Sequence, residues 1–274
     1  MISMEAIARR VPGKEPGDYT GPDGLLHCGK CHTPKECRVN GKTYPVICQC
    51  RKAERERVER EQAVKKRYEA AMHLAVHSTH DQHSKAWTFA RDDKNNPGAT
   101  NTARVYAERW EEIKAKGAGL LLMGGVGTGK SFLAGCIANA LLAKKVPVLF
   151  TSFGKLVRFM TTYSGDKNKC LQSLNKFDLL VLDDLGTERQ SSFALELVFE
   201  IVDERVKSGL PLIVSTNLTQ RELYEQKDVN YARIYDRITS VCAPVVLNGT
   251  SRRKAEGAER LQWLNGVLFG GGEK

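Results

Sequence analysis

The chain lacks a long hydrophobic run, a hydrophobic leader and enough acidic residues to balance its basic ones. No apolar stretch in its 274 residues approaches the ~20 residues that cross a bilayer as a helix, so no membrane partner is expected. Met1 to Glu15 is polar and has no signal-peptide core, which leads us to expect a cytoplasmic protein. In that compartment the eight cysteines are not expected to pair as disulfides. Asp and Glu number 32 against 42 Lys and Arg, a formal net charge of +10. That imbalance favours polyanionic partners, nucleic acid first. Hydrophobic residues make up 41%, enough to build one large domain or two modest ones.

Residues 1–24 carry Gly, Pro and charge without periodicity and read as a flexible arm. Residues 25–50 hold five of the cysteines: Cys28-x-x-Cys31, Cys37 and Cys48-x-Cys50, with Asn40-Gly41 as a turn between the outer pairs. Two short chelating pairs deliver the four soft ligands that Zn²⁺ takes tetrahedrally. Cys28, Cys31, Cys48 and Cys50 are the expected set, with Cys37, His32 and His27 as substitutes. A stretch this short and polar needs a staple to fold. No carboxylate base stands near an open ligand position, so the zinc would be structural. Residues 51–85 begin Arg-Lys-Ala-Glu-Arg-Glu-Arg, good helix formers of mixed charge, and read as an exposed helical linker. His73, His77 and His80 share one face of it, read as solvated.

From residue 86 the character changes. Trp87 and Phe89 are apolar anchors, Asp92 to Thr102 is rich in turn residues, and Ala103 to Lys116 has a helical rhythm with Val105, Tyr106, Trp110 and Ile113 inward. Gly124-Gly125-Val126-Gly127-Thr128-Gly129-Lys130-Ser131 fits G-x-x-x-x-G-K-[ST] at every fixed position. A buried-type run (119–123) precedes it and a helical run starting at Phe132 follows, which is the context the motif requires. Glycines let backbone N–H groups converge on phosphate, and the helix dipole adds to them. Lys130 reaches the β- and γ-phosphates of ATP and Ser131 offers a hydroxyl to Mg²⁺.

Strands are then expected at 146–151, 177–182, 211–215 and 245–247, with helices at 153–163 and 193–207. This βα alternation predicts a parallel sheet with helices on both faces and ligands at the C-terminal strand ends. The phosphate loop, Asp183-Asp184 and Asn217 all fall there. Asp183 suits Mg²⁺ binding, Asp184 polarisation of the attacking water, and Asn217 its orientation, with Thr216 a weaker candidate. Asn217 could instead cap a following helix. Positive charge for the γ-phosphate could come from Arg233 or Arg237, or from Arg252-Arg253, and a neighbouring subunit could supply it.

The order Gly-Val-Gly-Thr-Gly-Lys-Ser, Leu-Leu-Val-Leu-Asp-Asp-Leu-Gly, Ile-Val-Ser-Thr-Asn-Leu and Arg-Ile-Tyr-Asp-Arg-Ile resembles the DnaC-type replicative helicase loaders. These are AAA+ P-loop ATPases akin to the IstB-type transposition helpers. The resemblance covers roughly residues 86–260 and implies an AAA+ domain over 86–274. Asn217 would be sensor 1, Arg237 the arginine finger with Arg233 as runner-up, and Arg253 sensor 2. Phe132 and Arg253 would join the phosphate loop in binding nucleotide. The 153–165 element would line a single-stranded DNA path, with Lys155 and Arg158 on phosphates and Tyr163 on a base. Ser192 and Phe193 are further DNA candidates. In this family the second acid is often Glu, so Asp184 implies slow hydrolysis. The cysteine module resembles those that grip a DnaB-type helicase, and copies would self-associate through their ATP sites. The rivals are an IstB-like helper on duplex DNA, a metabolite kinase and a non-hydrolysing zinc adaptor.

Overall fold

The computed structural model describes residues 13–74, 84–186, 192–225, 228–249 and 251–269. The chain divides between Lys66 and Arg67 into two compact units.

In the first unit β1 (Tyr19–Thr20) pairs antiparallel with β2 (Leu26–His27), and β3 (Glu36–Val39) with β4 (Lys42–Pro45). Asn40 and Gly41 join the second pair at φ 48° and 76°, the two positive values a type I′ hairpin turn demands. Residues 13–24 are not a loose arm. Asp18 lies buried against Lys35 at 2.5 Å and accepts from the Gly29 N–H at 3.1 Å, and Lys35 Nζ also donates to the Gly13 carbonyl at 2.9 Å. The arm is thereby tied to the cysteine-bearing segment; residues 1–12 lie outside the described residues. The helix α1 (Gln49–Leu74) is exposed from 51 to 66. Pairs such as Arg55–Glu59 at 2.8 Å and Arg57–Glu54 at 2.7 Å line it, each adding only ~0.3–0.5 kcal/mol. His77 and His80 lie outside the described residues, as does the His73 side chain.

The second unit runs α2 (Pro97–Glu108), α3 (Trp110–Lys116), β5 (Gly119–Met123), α4 (Lys130–Ala143), β6 (Val148–Ser152), α5 (Phe153–Thr162), α6 (Lys167–Ser173) and β7 (Leu179–Leu185). It continues with α7 (Ser192–Lys207), β8 (Leu212–Thr216), α8 (Gln220–Tyr224), α9 (Val229–Val241), β9 (Cys242–Val246) and α10 (Arg252–Phe269). The strands form one parallel sheet in the order β6-β7-β8-β5-β9. Alternate residues serve opposite faces. Leu121, Leu180, Leu182 and Val214 pack under α5, α7 and α9, while Leu120, Leu122, Val181 and Ile213 pack under α2 and α4. No described helix is long and apolar enough to cross a membrane.

Two local expectations need correction. The turn-rich stretch ends early, because Pro97 starts α2 at a position where a helix needs no N–H. The single helix expected over 103–116 breaks at Arg109 (φ −90°, ψ 30°), which turns Tyr106 and Trp110 inward but leaves Val105 39% exposed.

Arg205 on α7 is fully buried and sets the strand starts. It donates to the carbonyls of Phe177 at 2.9 Å, Asp178 at 2.8 Å and Pro211 at 2.8 Å. These residues lead into β7 and β8, whose far ends carry the acids and Asn217.

Candidate nucleotide site and cysteine cluster

The loop between β5 and α4 wraps the helix N-terminus. Gly127 and Gly129 hold φ of 81° and 101°, where a side chain is strained. A Cβ on Gly127 would lie 2.1 Å from Ser251 Oγ. Gly129 caps α4 without a side-chain bond, so its first N–H groups remain to meet an anion.

Lys130 is 4% exposed. Its Nζ donates to the carbonyls of Gly124 and Gly125 and to Asn217 Oδ1, each at 2.8 Å. Burial lowers its pKa from the ordinary lysine value, opposed by the charges of Asp184 and Asp183. Ser131 Oγ donates to Asp183 Oδ1 at 3.0 Å. The Ser215 hydroxyl donates to the same oxygen. Burial pushes the Asp183 carboxyl above the usual carboxylate range, with those hydrogen bonds opposing it. Neighbouring Asp184 sits in a break of the β7–β8 register between Leu182 and Leu185. Its φ is 59°, and its N–H donates to Ser215 Oγ at 2.9 Å. This bulge turns Asp184 into the cleft, a use bulges often serve beside active sites.

Asn217 does not cap the next helix. Thr219 does so, in a reciprocal capping box with Glu222. Thr216 is buried and donates to the Leu185 carbonyl at 3.0 Å, a structural duty. The loop and strand ends line a cleft of about 480 Å³ with Phe132, Arg252 and Arg253. Trp87 also lines it and meets Phe132 edge-on at 6.2 Å.

The remaining candidates lie elsewhere. Arg237 on α9 does not line the cleft; it is half-exposed and pairs with Asp203 on α7 at 2.9 Å. Arg233 covers the Phe199 ring at 4.1 Å. Lys155 and Arg158 are both exposed on α5, and Tyr163 follows with its ring 5.5 Å from Phe159. Phe193 is 47% exposed under Lys167 Nζ at 5.3 Å. The Ser192 side chain lies outside the described residues. Sequence reasoning missed Ser215, which bonds both acids but stands in no recognisable spacing.

In the first unit Cys28, Cys31, Cys48 and Cys50 bring their sulfurs within 4.8 Å of one another. Cys28–Cys50 and Cys48–Cys50 lie at 3.6 and 3.4 Å. Tetrahedral Zn–S bonds require S···S of about 3.8 Å, so the donor set fits Zn²⁺. The tight Cys-x-Cys spacing works because Cys50 sits in the first turn of α1 while Cys48 precedes it. A hydrogen bond with Thr33 and backbone donors draw Cys31 down to about 5, whereas its sulfur neighbours push Cys50 up to about 12. The substitutes stand aside. Cys37 lies on β3 opposite Tyr44, and His27 and His32 both meet the Tyr19 ring.

The family described as IstB-like ATP binding protein matches residues 53–259. Replicative helicase loader DnaI of Bacillus subtilis is 31% identical over 150 residues, 50% of this chain and 48% of that protein. Replicative helicase loader DnaC of Escherichia coli is 31% identical over 129 residues, 46% of this chain and 51% of that protein. The chain thus spans about half the length of these relatives. The crystal structure of DnaI superposes with a TM-score of 0.52 at 27% identity, over 64% of this chain and 95% of that one. With the phosphate loop, the sheet order and this match over three-quarters of its length, the chain belongs to the IstB-like ATP-binding protein family.

Proposed function

We propose that this chain is an ATPase that loads a replicative helicase of DnaB type onto single-stranded DNA. The observation that carries it is the hydrogen-bonded set Lys130–Asn217 and Ser131–Asp183, which joins the ends of β5, β7 and β8. Lys130 would leave the loop carbonyls for the β- and γ-phosphates of ATP. Ser131 and Asp183 would hold Mg²⁺, which neutralises phosphate charge. Asp184 would polarise the attacking water and Asn217 would hold it in line. Residues 25–50 would form a structural zinc module gripping the helicase, 51–85 the linker and 86–274 the AAA+ domain. The relatives' names support the helicase as partner.

The exposed Lys155, Arg158, Tyr163 and Phe193 would form the DNA path. Two phosphate contacts contribute about −1.4 to the slope of log affinity against log salt on single strands. Exchanging Lys155 and Arg158 together for Ala should flatten the slope by that amount. The test is ATP turnover and DNA affinity against single-stranded DNA, duplex DNA and a DnaB-type helicase. Stimulation by single strands and helicase is expected; preference for duplex DNA would point to the transposition helper instead.

A further inference from the structure

Arg252 opens α10 and lies directly against the phosphate loop. Its N–H donates to the Gly127 carbonyl at 2.9 Å, and a Cβ on Gly129 would stand 2.9 Å from its Cζ. The guanidinium lies over the Phe132 ring at 5.2 Å. Its Nη2 reaches Asp93 Oδ1 at 2.5 Å and Asp92 Oδ1 at 3.5 Å, although these acids stand about 160 residues earlier in the chain. Both acids are themselves fixed. Thr100 Oγ1 donates to Asp92 Oδ2 at 3.0 Å, and the Asn95 side chain donates to Asp93 Oδ2 at 2.7 Å. Arg252 Nε is buried and, among the described residues, meets no hydrogen-bond partner, a costly state for a charged donor.

A guanidinium beside a phosphate loop, with one donor unsatisfied, has two rival claims on it. The carboxylates hold it at one edge; phosphate oxygens in the cleft would accept from its fork in bidentate fashion. We propose that Arg252 is a phosphate-binding residue of this cleft, and that Asp92 and Asp93 compete with the incoming nucleotide for it. Nucleotide binding therefore loosens the tie between the 92–96 segment and the head of α10. The inference rests on the reading that the cleft takes a nucleoside triphosphate; the sequence offered Arg252 and Arg253 together, and the new element is the competition of Asp92 and Asp93 for Arg252.

The test is the affinity of the full-length protein for Mg²⁺–ATP, measured by titration calorimetry. Asp93→Asn should tighten binding about fivefold, the upper range for a pair this exposed. Asp93→Glu should stay at the wild-type value. Arg252→Met should weaken binding, and Asp93→Asn added to Arg252→Met should then change nothing. That coupling separates competition from a general change in charge. Equal tightening by Asp93→Asn with and without Arg252, or no tightening at all, would overturn the competition. Wild-type protein that binds no ATP would remove the nucleotide reading along with it, whereas normal binding with an inert Asp93→Asn removes only the competition.

Discussion

Arg237→Ala is expected to lower ATP turnover about a thousandfold, the lower range for loss of an arginine finger, while ATP affinity stays unchanged. Arg237 does not line the cleft of its own chain and is held by Asp203, which also binds Lys207 at 2.6 Å. Any action on a γ-phosphate must therefore be on that of another copy. The half-exposed pair itself contributes under about 1 kcal/mol, so the variant should keep its fold and melting temperature. A mixture supplies the decisive comparison. Chains carrying Arg237→Ala keep an intact cleft; chains carrying Lys130→Ala keep an intact arginine. If the arginine acts across copies, mixing the two inactive proteins should restore part of the turnover. Full activity of Arg237→Ala alone would shift the role to Arg233 or remove it.

Stripping zinc should unfold the first unit and leave the second one folded. Among the described residues up to 66, the buried apolar side chains are those of Cys28 and Cys48, so the sulfurs are themselves the core. A unit this small cannot stand on such a core alone. Structural zinc contributes on the order of 10–16 kcal/mol of apparent binding energy, far more than its surface ion pairs can supply. Chelation, or Cys48→Ser, should therefore abolish the slow amide exchange of 13–50. ATP binding by the second unit should persist. An unchanged exchange pattern after metal removal would dispose of the zinc assignment.

What the sequence disclosed follows from the range over which each feature is encoded. The phosphate loop is a contiguous spacing, and the strands announce themselves as apolar runs ending in polar residues. Asn217 was legible as a strand-end polar group, but its bond to Lys130 closes over 87 residues. Ser215 reads as one more strand residue until the sheet order puts β7 beside β8. The Arg252 tie to Asp92 and Asp93 spans about 160 residues and carries no local signal, whereas α10, rich in Ala, Glu, Arg and Leu, is encoded locally and was passed over. Residues 13–24 lacked periodicity because scattered polar contacts, the buried Asp18–Lys35 pair foremost, and the short β1–β2 pairing hold them. Such contacts leave no repeat to read. The break at Arg109 likewise interrupts a rhythm that continues on both sides.

In the proposed function one triphosphate would sit against Lys130, with Mg²⁺ held by Ser131 and Asp183. Calorimetric titration of the purified protein with ATP, with and without Mg²⁺, tests it most directly. One site per chain is predicted, with affinity weakened at least about a hundredfold by Lys130→Ala, about 2.7 kcal/mol for lost charge-assisted bonds. Protein that takes up no ATP with Mg²⁺ present, or binds it equally well without Lys130, would contradict that claim.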